Sequence, residues 1–423
     1  MLNNIVRSCT NRTSRELICN SLVRNISKSS SSSNTDKRRE QTDQSKYTCS
    51  KWSRLRRHFN NRALSTVNAT IAPKIKSAWV SKEESREFMA VFPDLVRDLT
   101  DIPEYVDIPE VTKRFAKVLQ YNVPCGKKTR GLTTVASYKL LEDPAKITEE
   151  SIRMAQILGW CVEMLHGSFI INDDIMDSSQ TRRGATCWYL VDGVGMQAIN
   201  DALLLENGVY ALLRKHFSDH HCYIPAMELF HEVIMKTSMG QSLDILCTLD
   251  GKPQLDAFTM NRYNAIVKYK TGFYSFQLPV TLALYLCGKY DPELHRQATT
   301  ILLEMGHFYQ VQDDFLDCFG DPEMTGKKGT DIQDGKCSWL VVLALQRASP
   351  EQKKVLQLNY GKKDPKCIEA VRTLYEDLGL PNTYAIYEEE SYNLIRTNIQ
   401  QVSAGLPHKL FYKFLESIYR RDS

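Results

Sequence analysis

The sequence has 423 residues and twelve cysteines but no Cys-x-x-Cys pair. It therefore offers neither a zinc site nor the spacing of a disulfide scaffold, and its scattered thiols suit a reducing compartment. It also lacks any run approaching 18 uninterrupted apolar residues, so a transmembrane helix has no support. Alternating strand-like runs between turn residues are missing too, while helical spacing of apolar residues holds almost everywhere from about Trp79 onward; the expected class is all-α. Net charge is small, +4, but uneven: residues 1–70 carry 14 Lys and Arg against 4 Asp and Glu, which leaves 40 basic and 46 acidic residues for the rest. The body is mildly acidic, so no nucleic-acid partner is expected.

Two regions are expected: a disordered basic targeting segment over 1–70, and one all-α domain over 71–423 built as a helical bundle with a central cavity. In the first, Leu2, Ile5, Val6 and Cys9, then Leu17, Ile18, Leu22, Val23 and Ile26 recur at helical spacing with Arg7, Arg12, Arg15 and Arg24 between them. An Arg-rich, Ser-rich, acid-poor amphipathic start suits a mitochondrial transit peptide, with the cytoplasm as the alternative location. The run Ser29 to Ser33 and the basic cluster after it cannot build a core.

In the body, Ser81 followed three residues later by Glu84 reads as a capping box opening the first helix. Further helices are expected over 109–121, 130–143, 149–177, 197–217, 224–248, 255–288, 291–319, 337–347, 366–379, 382–403 and 407–421.

The stretch Phe169 to Asp177, FIINDDIMD, ends an apolar helix with Asp173, Asp174 and Asp177, and no cation follows within four residues. Buried carboxylates left unpaired are expensive, so they call for a metal or a basic ligand. Asp173 and Asp177 lie one turn apart on one helix face, a spacing that suits a shared Mg²⁺ with diphosphate as its other ligand. The pattern recurs 140 residues later in VQDDFLDCF, with Asp313, Asp314 and Asp317. Two such helices read as opposing jaws of one metal-filled cavity.

Basic stretches accompany the triads. GKKTRG, Gly126 to Gly131, opens a helix with Lys127, Lys128 and Arg130, a ready anion site that lacks the spacing of a Walker loop. Arg182 and Arg183 follow the first triad; Gln241 and Asp244 share a helix face; Lys268, Lys270 and Thr271 sit among aromatics in IVKYKTGFYSFQL. Lys327, Lys328 and Lys336 lie in the Gly-rich stretch after the second triad, which suits a lid over phosphate.

Side by side, GKKTR, DDIMDSSQTRRG, GQSLD, KYKT, YQVQDDFLD and TGKKGTDIQDGKCSWL resemble the short-chain trans-prenyl diphosphate synthases, and among them the farnesyl diphosphate synthases, from about residue 80 to the C-terminus. The resemblance implies a dimeric all-α enzyme that condenses isopentenyl diphosphate with dimethylallyl and then geranyl diphosphate to give farnesyl diphosphate. It further implies that Asp173, Asp174, Asp177, Asp313 and Asp317 hold Mg²⁺ on the allylic diphosphate. Arg182, Lys270, Lys327, Lys336 and Gln310 would surround that diphosphate, and Lys127, Arg130, His166 and Arg183 would bind isopentenyl diphosphate. Thr271, the Lys270 carbonyl and Gln310 would face the carbocation, and the departing diphosphate would take the proton. Asp173, Asp177, Asp313, Lys270, Thr271 and Gln310 thus carry the catalytic expectation.

Three departures stand out. His166 replaces the family's common glutamine, which adds a protonation dependence near neutral pH. Ser168 stands where an aromatic often floors the chain-length pocket, so a product longer than fifteen carbons, geranylgeranyl diphosphate, is an alternative, as is the shorter geranyl diphosphate. The terminal Tyr419-Arg420-Arg421-Asp422-Ser423 ends acidic. Three rival readings remain: a terpene cyclase on the same fold, against which intact GKKTR and Arg183 speak; a di-iron oxidase using Glu163-x-x-His166 and Glu228-x-x-His231; and a catalytically silent subunit of a larger synthase, which would be expected to have lost one triad.

Overall fold

The computed structural model describes residues 80–249, 251–321, 329–403 and 405–419. The expected boundary at residue 70 and the targeting segment lie outside these residues. Several helices begin where the sequence supplies a cap. Helix α1 (Lys82–Thr100) opens with the expected capping box: Ser81 Oγ accepts from the Glu84 N–H at 3.1 Å, and Glu84 Oε2 accepts from the Ser81 N–H at 2.8 Å. After α2 (Pro109–Asn122) and α3 (Thr129–Leu141) comes α4 (Glu149–Met176), capped by Thr148 with Ser151. In α4 every residue from Ala155 to Ser168 is buried, so this helix is the axis of the bundle. It is long and apolar enough to cross a membrane, but 83% of its most apolar window is covered by the rest of the protein, as a core helix requires.

Close approach explains two glycines. A Cβ on Gly131 would lie 2.8 Å from the Gly159 carbonyl oxygen, and one on Gly159 would lie 2.6 Å from that of Gly131, so α3 and α4 touch backbone to backbone. Beside this crossing Trp160 stacks on Phe88 at 4.5 Å and donates its indole N–H to the Phe88 carbonyl at 2.9 Å.

Helices α5 (Ala198–Phe217) and α6 (Tyr223–Ile245) follow, then α7 (Met260–Ile266), which runs directly into a π-helix over Val267–Gln277 and on into α8 (Leu278–Leu286). One regular helix was expected over 255–288; the wider π turns fall on KYKT and mark a functional stretch. Helix α9 (Pro292–Phe319) is capped by Asp291, whose Oδ1 accepts from the N–H groups of Glu293 and Leu294. The chain finishes with α10 (Asp331–Asp334), α11 (Trp339–Arg347), α12 (Pro350–Asn359), α13 (Pro365–Asp377), α14 (Leu380–Gln400) and α15 (His408–Ile418). Helix α12 was not expected; its signal was the capping box of Ser349 and Gln352 with Pro350 at the first turn. Two two-residue hairpins, Thr181–Arg182 with Ala185–Thr186 and Thr248–Leu249 with Lys252–Pro253, are the only strands among the described residues.

The core forms two apolar clusters. One gathers α1 to α6, α8 and α15; the other gathers Cys247, Phe258, Tyr263 and the chain from Ile332 to Tyr384. Helix α9 serves both, with Ala298 to Phe308 in the first and Val311 and Cys318 in the second. The aspartates of the second triad sit on its second half.

Candidate functional site

The first triad closes α4, with Asp177 as the C-cap residue. Its carboxylates do have cations, but these come from distant parts of the chain. Arg182 places Nε and Nη2 on Asp174 Oδ1 at 2.9 and 2.6 Å and Nη2 on Asp173 Oδ2 at 3.3 Å. Lys270, in the π-helix, donates to Asp173 Oδ1 at 3.1 Å and to Asp244 Oδ2 at 2.6 Å. Lys336 donates to Asp177 Oδ2 at 2.7 Å and to the same Asp244 oxygen at 3.3 Å. Gln241, one turn before Asp244 on α6, donates to Asp173 Oδ1 at 3.1 Å. Four carboxylates therefore face three cations, a net charge of minus one.

Electrostatics follow from this pairing. Burial alone would raise Asp173, yet Lys270, Lys336 and Arg182 hold it below the usual carboxylate range. Asp174 and Asp177 are pushed up, burial outweighing their cations. Burial would depress Lys270 and Lys336, but the carboxylates around them, Asp244 foremost with Asp177 and, for Lys270, Asp173, together more than offset it and both stay firmly protonated. About a quarter of the Asp173, Asp177, Lys270 and Lys336 side chains stays exposed, whereas Asp174 is covered and committed to Arg182. Access to the first requires one close approach: a Cβ on Gly240 would lie 2.1 Å from the Lys270 backbone nitrogen, so α6 and the π-helix meet without side chains between them.

In the second triad Asp314 is buried and its carboxylate is held by the Gln310 amide at 2.9 Å and the Trp339 backbone N–H at 2.8 Å. Burial raises it to about 7. Asp317 accepts the backbone N–H groups of Thr330 and Asp331 at 3.3 and 3.0 Å. Asp313, the residue before Asp314, is partly exposed. Lys336 reaches the first triad and Trp339, three residues on, holds the second, so the segment 336–339 ties the two together.

The basic pocket expected from GKKTRG assembles beside them. Arg130 donates Nε to Ser275 Oγ at 2.9 Å and Nη2 to the Tyr274 hydroxyl at 3.1 Å. Its Nη1 and Arg183 Nη2 both approach His166 Nε2, at 3.3 and 2.9 Å. A guanidinium has only donors, so His166 Nε2 must accept; the ring is neutral and carries its proton on Nδ1, which faces the Tyr274 hydroxyl at 3.3 Å. Burial and then Arg130 and Arg183 push His166 well below the ordinary histidine value. The expected protonation dependence near neutral pH is therefore absent from the ligand-free protein.

Backbone strain concentrates here. Lys128, Ser178 and Arg183 are the non-glycine residues with positive φ among those described, at 48°, 54° and 55°. Arg183 and Gly184 (φ 77°) form the turn of the first hairpin, which needs φ above zero at both positions. Gly126 has no side chain because a Cβ there would lie 2.8 Å from the Arg183 guanidinium. Lys127 is exposed at the rim, and Thr271 is partly exposed next to Lys270. Lys327 and the terminal Arg420 and Arg421 lie outside the described residues.

Sequence reasoning left Asp244 without a role, although it is the shared partner of both lysines; its signal was the three-residue spacing from Gln241. The di-iron reading fails on placement. Glu163 is buried and accepts the Gly131 N–H at 2.8 Å, whereas Glu228 and His231 are exposed on α6, with His231 against the Tyr210 hydroxyl. Among the described residues, no three His, Cys, Asp or Glu side chains converge as a ready metal cluster. Ser168 is 1% exposed and its hydroxyl has no partner.

Residues 112–378 match the family model described as Polyprenyl synthetase. A farnesyl pyrophosphate synthase of Murgantia histrionica is 50% identical over 364 residues, covering 86% of this chain and 88% of the relative. One of Gallus gallus is 48% identical over 81% of this chain and 94% of its own length. Among solved structures, T. brucei farnesyl diphosphate synthase complexed with risedronate superposes with a TM-score of 0.74 at 33% identity, covering 80% of this chain and all of that one.

Proposed function

The chain belongs to the polyprenyl synthetase family and is a prenyltransferase, and on that premise we infer that it condenses isopentenyl diphosphate with dimethylallyl and then geranyl diphosphate to give farnesyl diphosphate. The observation that carries this reading is the shared cluster of Asp173, Asp177 and Asp244 with Lys270, Lys336 and Arg182, set beside a second group of donors at Arg130, His166 and Arg183.

The division of labour follows from charge. The second group has an excess of cations and suits a diphosphate bound without metal. The first is one charge negative, so a diphosphate enters it only with divalent cations. The donor set fits Mg²⁺: partly exposed carboxylate oxygens on two helices, Asp173 and Asp177 on one and Asp313 and Asp317 on the other. Asp174, covered by Arg182, has the least access. Bound Mg²⁺ would supply Lewis-acid charge on the leaving diphosphate.

The chain's own residues do the rest. Lys270, Lys336 and Arg182 exchange carboxylate oxygens for phosphate oxygens, which holds the allylic C–O bond over the π-helix as it breaks. Thr271 and the Gln310 amide offer dipoles without a strong base to the resulting cation. The released diphosphate, held in place, takes the proton that ends each cycle. Because the relatives that match most of the chain at about 50% identity are farnesyl pyrophosphate synthases, the fifteen-carbon product is the reading kept over geranylgeranyl diphosphate.

We also infer a homodimer. Ile199 and Leu203 on α5 and Met235, Met239 and Leu246 at α6 are exposed on adjacent helices, a larger apolar surface than scattered single residues make. Mitochondrial import is inferred from the basic first 70 residues, with the cytoplasm as the alternative outcome when that segment is fused to a fluorescent protein.

The reading is tested by diphosphate release. It should require isopentenyl diphosphate, an allylic diphosphate and Mg²⁺ together, and fall at least roughly 10²-fold in Asp173→Asn and Asp313→Asn. Release from the allylic substrate alone would favour a cyclase.

A further inference from the structure

The hairpin that carries Arg182 and Arg183 is short, and the segment around it holds two residues in conformations that L side chains avoid, Ser178 at φ 54° and Arg183 at φ 55°. Such conformations persist only where the surroundings over-determine them. The guanidiniums' own contacts do not supply that restraint, because Arg182 on Asp174 and Arg183 on His166 are bonds that a bound diphosphate competes for.

The restraint comes from the backbone and from the residues that follow. Cys187 donates its backbone N–H to the Gln180 carbonyl at 3.1 Å, and the Tyr189 hydroxyl reaches back to the Ser179 carbonyl at 2.9 Å. The Tyr121 hydroxyl, from the end of α2, donates to the Thr186 carbonyl at 2.7 Å, and its ring packs on that of Trp188 with centroids 5.0 Å apart. Trp188 is 2% exposed, and its indole N–H donates to Asp201 Oδ2 at 2.9 Å. Asp201 lies in the first turn of α5 and is fully buried. Arg114 of α2 takes both its oxygens, Nε on Oδ1 at 2.8 Å and Nη2 on Oδ2 at 2.7 Å.

A planar guanidinium on both oxygens fixes the plane of the carboxylate, so the indole N–H has a defined acceptor to meet. Two helices, α2 and α5, thereby set the place of Trp188, five residues after Arg183 and six after Arg182. Stability alone does not call for this arrangement. An apolar pair of similar volume would hold α2 to α5 about as well, but only an acceptor can orient the Trp188 N–H.

We propose that Asp201 is a positioning residue for both diphosphates: with Arg182 and Arg183 as diphosphate ligands, as inferred above, it holds the hairpin backbone through Trp188 and so sets the aim of the two guanidiniums together. A merely structural role leaves a different trace. Lost stability lowers the folded fraction, which lowers apparent kcat and leaves KM alone, whereas a loosened hairpin raises KM for the allylic and the isopentenyl diphosphate alike.

The test compares the full chain with Trp188→Phe, which removes the indole N–H and keeps an aromatic ring against Tyr121, with Asp201→Ala and with the double variant, each checked for helical circular dichroism. In both single variants KM should rise about fivefold or more for both substrates. The double variant should be no worse than Asp201→Ala alone, because Asp201 acts through Trp188. Titration calorimetry with inorganic diphosphate in the absence of metal needs no turnover, and Trp188→Phe should bind it about fivefold more weakly than the parent. Parent protein that binds diphosphate but condenses nothing would count against the proposed reaction and leave this titration to judge Asp201. The proposal is overturned if folded Trp188→Phe keeps both KM values and the diphosphate affinity within about twofold of the parent, if the KM of one substrate alone moves, or if the losses in the double variant equal the product of those in the singles.

Discussion

Replacing Asp244 by Asn removes one charge and almost no volume from the centre of the cation cluster. Asp244 is 9% exposed and its Oδ2 accepts from Lys270 at 2.6 Å and Lys336 at 3.3 Å. Removing one partner of a buried ion pair costs about 3–5 kcal/mol. Here each lysine keeps a second carboxylate, Asp173 or Asp177, so the expected loss is about 2–4 kcal/mol. For a chain of this size that is a fall in Tm of about 2–5 °C. The kinetic consequence is larger than the structural one. Without Asp244 the two lysines lose the partner that fixes their separation, so kcat/KM for the allylic diphosphate should fall roughly tenfold or more while KM for isopentenyl diphosphate stays near the parent value. Calorimetry and initial-rate kinetics with each substrate varied separate the two effects. A variant with the parent's Tm and the parent's allylic kinetics would refute the shared-anion arrangement.

Arg183→Asn keeps a side chain that tolerates positive φ; it relieves a left-handed penalty of about 1–2 kcal/mol and so offsets the hydrogen bonds lost. Binding of isopentenyl diphosphate should weaken by roughly 10²-fold with little change in Tm, as titration calorimetry and thermal melting would report. Gly240→Ala should destabilise by about 3 kcal/mol or more, because its Cβ meets the Lys270 backbone rather than a side chain that can move, and a denaturant melt reads the loss. His166 should remain neutral well below pH 6.5 in an NMR titration of the ligand-free protein. Its folded value is depressed, so the stability tied to neutral His166 is complete above about pH 6.5 and lost as pH falls, by at most about 1.4 kcal/mol per pH unit. His166→Gln should flatten that acid limb.

Both triads were legible because buried charge is costly and repeated, and the capping boxes of α1 and α4 because their side chains satisfy their own backbone. The π-helix was not legible: Val267–Gln277 has an ordinary helical composition, and its wider turns are set by packing against α6 at Gly240 and against α9. Asp244 was overlooked for a related reason. A lone carboxylate on a helix face reads as solvated until Lys270 and Lys336 arrive from 26 and 92 residues away. His166 was misjudged near neutral pH because two arginines that crowd it come from separate elements, Arg130 from the start of α3 and Arg183 from the turn of the first hairpin. Helix α12 was missed although Ser349-Pro350 and Gln352 announce it, its polar sequence having hidden the period.

Product length decides the reading. Purified protein, Mg²⁺, isopentenyl diphosphate and dimethylallyl diphosphate should give a prenyl diphosphate series that ends at fifteen carbons by mass spectrometry and vanishes with a chelator. A series running on to twenty carbons would overturn the product assignment, and no chelator-sensitive elongation from folded protein would contradict the synthase reading itself.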